Sequence, residues 1–86
     1  MGLVTRVLPE ENFLPSVQEI AREMATAVSP RSLRVMKRQI YTGLLQGLGE
    51  AYDEAIEEMR GSFGTEDFRE GVAHFIEERA AAFTGR

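Results

Sequence analysis

Residues 65–86 read TEDFREGVAHFIEERAAAFTGR, and the fold turns on what covers one side of this stretch. Phe68, Val72, Phe75, Ile76 and Arg79 recur at helical spacing, which predicts a helix over 66–79 with one oily side. Thr65 is placed to cap it, and Glu66 and Asp67 lie favourably at its positive end. Residues 80–86, AAAFTGR, read as a frayed tail unless Phe83 docks.

Working upstream, three more helices are expected. One spans 12–28, with Asn12 as N-cap and Pro15 tolerated in the first turn. Its stripe is Phe13, Leu14, Val17, Ile20, Ala21, Met24 and Val28. Ser29-Pro30 ends it and starts the next, since serine caps well and proline suits the first helical position. That second helix covers 30–46, with Leu33, Met36, Ile40, Leu44 and Leu45 expected on its inner side. Gly47 and Gly49 interrupt it. The third spans 50–62, with Tyr52, Ala55, Ile56, Met59 and Phe63 as its stripe, and Gly61 and Gly64 supply the stop. Residues 2–9, GLVTRVLP, are a β-branched run closed by a proline, expected as a single strand or arm that cannot make a sheet alone. The expected class is mainly α: about four amphipathic helices after one short N-terminal strand, all in one region over 1–86, without internal repeat.

The bulk numbers narrow the function. A chain of 86 residues with no cysteine has no disulfide, Cys-ligated zinc or thiol chemistry. So short a chain depends on well-packed helices or on partners. A net charge of −4 argues against a general nucleic-acid binder. No apolar run approaches the roughly 20 residues needed to cross a bilayer. The N-terminus shows none of the segments of a signal peptide, so a cytoplasmic setting without membrane contact is expected.

Three stretches in order resemble the C-terminal region of the crotonase family, the enoyl-CoA hydratases and isomerases. GLVTRVLPEENFLPSVQEIA (2–21) is similar to that family's "GLV-x-x-V" strand and following helix. SPRSLRVMKRQI (29–40) is similar to its "S-P-x-x-x-x-x-x-K" helix start, with Lys37 at the lysine. TEDFREGVAHFIEERAAAFTGR (65–86) is similar to its closing segment, "S-x-D-x-x-E-G-x-x-A-F-x-x-K-R-x-P-x-F". The resemblance implies a piece of a larger α/β enzyme that hydrates or isomerises acyl-CoA thioesters in fatty-acid metabolism. In that family the catalytic carboxylates and oxyanion hole lie upstream of the GLV segment, and this helical region builds the trimer and covers the active site. The chain alone is therefore expected to be inactive, with no catalytic residue and no cofactor of its own beyond the parent's CoA-thioester substrate. Its expected partners are other copies of itself or the missing catalytic region.

The same resemblance gives Phe75 a role at the CoA site of a neighbouring subunit. A lysine three residues later helps hold the nucleotide in the family; here that position is Glu78, followed by Arg79. An acid beside a phosphate is unfavourable, so only the long arm of Arg79 is left as a substitute. An equally weighted reading makes Phe75 an apolar anchor, with Phe68, Val72 and Ile76, at an oligomer interface.

Other candidates read as structural. Asp53 with Glu57, and Glu54 with Glu58, share faces at four-residue spacing, but no apolar pocket that would shift a pKa is evident around them. His74, the only histidine, has no second ligand at metal spacing, so no metal site is expected. Ser16, Ser29, Ser32, Ser62 and Thr65 lack the context of an activated nucleophile. Arg31, Arg34 and Arg38 share one helix face and read as solvated or salt-bridged; a helix-turn-helix regulator is disfavoured by the acidic whole. The alternative to the enzyme region is a free-standing helical interaction module.

Overall fold

The computed structural model describes all 86 residues, and its order is one 3-10 turn, Glu10–Asn12, then four α-helices. These are α1 (Phe13–Ala27), α2 (Pro30–Gly43), α3 (Leu48–Ser62) and α4 (Glu66–Ile76). Mainly helical architecture is thus the observed class. The expected N-terminal strand is absent: residues 2–9 run as a mostly exposed arm with no ladder partner, because a lone strand has nowhere to place its backbone donors and acceptors. Thr5, Arg6 and Leu8 of the arm line an open groove with Phe13, Val17 and Ile20 of α1.

Local chemistry sets the helix ends. Ser29 caps α2 by accepting the Ser32 amide at 3.2 Å, with Pro30 opening the helix. Thr65 caps α4 by accepting the Phe68 amide at 3.1 Å, and its hydroxyl donates back to the Ser62 carbonyl. The turn between α3 and α4 is therefore tied on both sides. Asn12 precedes α1 but makes no capping bond, and its extended cap geometry is replaced by the 3-10 turn. Helix α2 stops at Gly43 rather than running to 46, and α3 begins at Leu48 with Gly49 inside its first turn. Helix α4 ends at Ile76, three residues short of the expected Arg79, where Glu78 turns the chain with φ +51°.

Packing is where the structure departs most from the periodicity. The apolar stripes of α2 and α3 do not close on each other: Val35, Met36, Ala55 and Met59 line an open groove between the two helices, and the bonds across it are polar. Arg31 of α2 pairs with Glu58 of α3 at 3.6 Å and donates to Ser62 Oγ at 2.8 Å. Arg38 pairs with Glu54 and Glu58, and Gln46 donates to Glu54 at 2.6 Å. The stripe residues Met36, Ile40, Leu44, Leu45, Tyr52, Met59 and Phe63 all stay exposed, Leu45 at 93%. On α1 the same holds for Phe13, Leu14, Val17 and Met24. No hydrophobic residue is buried anywhere; the two buried residues are Ser29 and Asp67.

The dimensions agree. A compact chain of this length has a radius of gyration of about 12 Å, whereas this one has 16.2 Å and spans 46 × 37 × 19 Å. Its accessible surface is 7292 Å², where a folded monomer of this mass exposes about 5,100 Å². The α2–α3 pair is the only extensive helix–helix contact, so the stripes of the first three helices are not covered by one another.

Candidate functional site

Helix α4 carries the residues singled out from the sequence. Phe68, Val72, Phe75 and Ile76 line one side of it, and their exposures rise along the helix from 42% and 46% to 80% and 73%. Phe68 is partly sheltered by Phe63, edge-to-face at 5.2 Å between ring centroids. Val72 borders a cavity of about 320 Å³ shared with Arg31 and Ser32 of α2, Phe68, and Phe83 of the tail. Phe75 and Ile76 stand clear of any such shelter. The structure thus brings the four onto one continuous apolar face and leaves that face open.

Beyond the end of the face stands Glu78, at the position of the lysine in the closing segment that this stretch resembles. It engages in none of the chain's ion pairs. Arg79, next in the chain, is engaged within the molecule. Its guanidinium is bidentate to Glu70, at 2.5 Å to Oε1 and 2.9 Å to Oε2, and its Nε donates to Glu77 at 2.6 Å. These bonds hold the Arg79 proton more tightly than in water and pull the Glu70 carboxyl down from 4.5 to about 2, with the Arg79 hydrogen bonds the main cause and the Ala82 amide next.

Behind the apolar face lies a polar arrangement that sequence reasoning missed. The tail is not frayed. Asp67, 5% exposed, takes the Ser29 hydroxyl of α2 at 2.5 Å and the Thr84 amide at 2.8 Å. The Gly85 amide is shared between its two oxygens at 3.0 and 3.1 Å, and the Asp67 amide donates to the Arg86 carbonyl at 2.9 Å. Burial works to raise the Asp67 pKa, but the bonds from Ser29, Thr84, Gly85 and Arg31 outweigh it and hold the carboxyl below its ordinary value. One turn further, Glu70 takes the Ala82 amide at 2.8 Å. Phe83 rests beside Gly71 and meets His74 edge-on at 6.0 Å. The signal for this was present in the Asp and Glu three residues apart and in Ser29-Pro30; what periodicity does not reveal is that the tail supplies their donors.

The remaining candidates fall out as structural. Glu54 and Glu58 neutralise Arg38 and Arg31 across α2 and α3. Asp53 and Glu57 line an open groove on α3 with Tyr52, Ile56 and Arg60, where water screens them. The His74 ring nitrogen Nδ1 lies 3.3 Å from the Arg79 carbonyl, a turn-closing contact.

Comparison with known proteins places these features. The sequence model described as enoyl-CoA hydratase/isomerase matches residues 1–86. The chain is 36% identical over 88 residues to the probable enoyl-CoA hydratase echA8 of Mycobacterium tuberculosis (strain CDC 1551 / Oshkosh), covering 99% of this chain and 33% of that protein. It is 28% identical to the 1,2-epoxyphenylacetyl-CoA isomerase of Escherichia coli (strain K12), covering 99% of this chain and 32% of that protein. The crystal structure of a probable enoyl-CoA hydratase/isomerase from Mycobacterium abscessus superimposes with a TM-score of 0.87 at 26% identity, over 99% of this chain and 34% of that one. The chain therefore spans about a third of the length of the relatives it matches.

Proposed function

Because the chain belongs to the enoyl-CoA hydratase/isomerase family, we propose that it serves as the C-terminal helical part of an enzyme acting on acyl-CoA thioesters, as in fatty-acid metabolism. In this reading it contributes subunit assembly and cover for the acyl-CoA site, and the catalytic groups come from elsewhere. The observation that carries it is a family match over the whole chain joined to apolar faces that nothing within the chain covers. A free-standing module would bury its own stripes.

The α4 face would then work as follows. Phe68, Val72, Phe75 and Ile76 anchor the helix against a neighbour, and Phe75 also supplies apolar wall beside the nucleotide end of CoA. Glu78 repels a phosphate at short range, and Arg79 is already engaged with Glu70 and Glu77. Contact with CoA at this helix is thus apolar rather than ionic.

A graft tests the reading. The aligned third of the 36%-identical mycobacterial relative is replaced by this chain, and mass and loss of the enoyl-thioester absorbance are measured. The graft should assemble as the unmodified relative does and turn over substrate, while the isolated chain shows no turnover. In the graft, Glu78→Lys should tighten CoA binding, more so at low salt. Turnover by the isolated chain that persists through purification would contradict the proposal, as would a graft of correct mass that binds no acyl-CoA.

A further inference from the structure

Two carboxylates three residues apart on α4 hold the same strip of tail, and their partners come from opposite sides. Asp67 joins the α2 cap, through Ser29, to the Thr84 and Gly85 amides. Glu70 joins the Ala82 amide to the Arg79 guanidinium. Between these two points Phe83 lies along Gly71 and the His74 ring. Gly85, at φ +83°, lies so close to α2 that a Cβ built there would stand 3.5 Å from Cβ of Pro30. Helices α2 and α4 have no extensive shared face of their own, so the tail and Ser29 supply much of what ties them.

We infer that residues 80–86 are a latch, a single cooperative strap fastened by Asp67 and Glu70 that holds the start of α2 on α4 and so fixes how the apolar face of α4 is presented. An ionised carboxylate is acceptor-only and takes several donors at once, which suits it to this place. An amide side chain of the same shape offers one acceptor oxygen and cannot satisfy Ser29, Thr84 and Gly85 together. The donors on Asp67 are the Ser29 hydroxyl and backbone amides of the tail and of Arg31, with no cation among them, whereas the charged groups acting on Glu70 are Arg79 and His74. Because the strap is continuous between its two fastenings, release at one end should loosen the other. That coupling separates a latch from two local caps.

Amide hydrogen exchange on the full chain, read by NMR at neutral pH, tests it. Ala82, Thr84 and Gly85 should exchange slowly in the unaltered chain. Asp67→Asn should speed Thr84 and Gly85 at least about tenfold, the scale of a lost charge-assisted bond. It should also speed Ala82, whose acceptor is untouched, and leave the amide of Met59 in α3 unchanged. Glu70→Gln should speed Thr84 and Gly85 in turn. Phe83→Ala, which alters neither carboxylate, should speed all three amides together. The inference is overturned by exchange at unprotected rates in the unaltered chain, by each carboxylate variant affecting only its own amides, by Phe83→Ala leaving all three unchanged, or by Met59 losing protection with them.

Discussion

At the scale of single residues, Phe75, Glu78 and Arg79 separate what the chain needs for itself from what it offers elsewhere. Phe75 is 80% exposed, so its ring contributes little to the isolated chain. Phe75→Ala is expected to leave the unfolding free energy of dilute chain, from urea titration, within about 0.5 kcal/mol of the original. The same change should weaken association by about 3–5 kcal/mol if the ring becomes fully buried in the assembly, measured as a shift in the concentration at half-assembly. A large loss of stability in dilute chain, with association intact, would show that Phe75 is an internal core residue. Glu78 carries a different signature. Its left-handed φ of +51° closes α4, a conformation that costs a non-glycine residue roughly 1–2 kcal/mol. Glu78→Gly relieves that strain but frees the unfolded chain, so a net gain of about 1 kcal/mol or less is expected from thermal or urea melting. A marked loss would mean that the Glu78 side chain holds something. The Phe75 and Glu78 positions were legible as a pair from the closing motif. The engagement of Arg79 was not, because its partner Glu70 lies nine residues back and is reached only after the chain reverses at Glu78.

At the scale of elements, helix existence followed from periodicity and caps, while helix ends and facing did not. Ser29-Pro30 and Thr65 announced two starts correctly, since a hydroxyl one residue before a helix has a local partner within reach. Asn12 did not cap, because the 3-10 turn carries the chain into α1 another way. The facing of α2 and α3 was illegible in a stronger sense. Their apolar stripes are real, yet Arg31, Arg38, Glu54 and Glu58 make the bonds while Met36 and Met59 only line the groove beside them, and a hydrophobic pattern alone does not say which neighbour a stripe is meant for. The tail is the element with the clearest pH signature. The Glu70 carboxyl titrates at about 2 in the folded chain against 4.5 when free, and Asp67 is also lowered. A lowered folded-state pKa stabilises above the free value and loses that contribution as pH falls through the folded value. Attachment of residues 80–86 should therefore be complete above about pH 4.5 and weaken toward pH 2, seen as faster exchange at Ala82, Thr84 and Gly85 after correction for the intrinsic rate. Attachment that strengthened on acidification would contradict the carboxylate account.

At the scale of the whole molecule, the dominant fact is surface. The chain exposes 7292 Å² against the roughly 5,100 Å² of a compact monomer of its mass. That excess of about 2,200 Å² exceeds the roughly 800 Å² that one partner contributes to a standard interface and suits an obligate one. Family membership was legible because three motifs sit in order along nearly the whole chain. The openness of the assembled helices was foreshadowed only on α4, since an oily stripe looks the same whether its cover is the next helix or another chain. The central claim is that these stripes, on α1, α2, α3 and α4 alike, are covered by protein outside the chain. Light scattering of the purified chain across a dilution series tests that most directly, with binding of an apolar-surface dye followed in parallel. The account predicts mass above the 9.6 kDa monomer that falls on dilution, with dye binding rising as it falls. A 9.6 kDa monomer at every concentration, melting in one sharp transition and binding no dye, would contradict it.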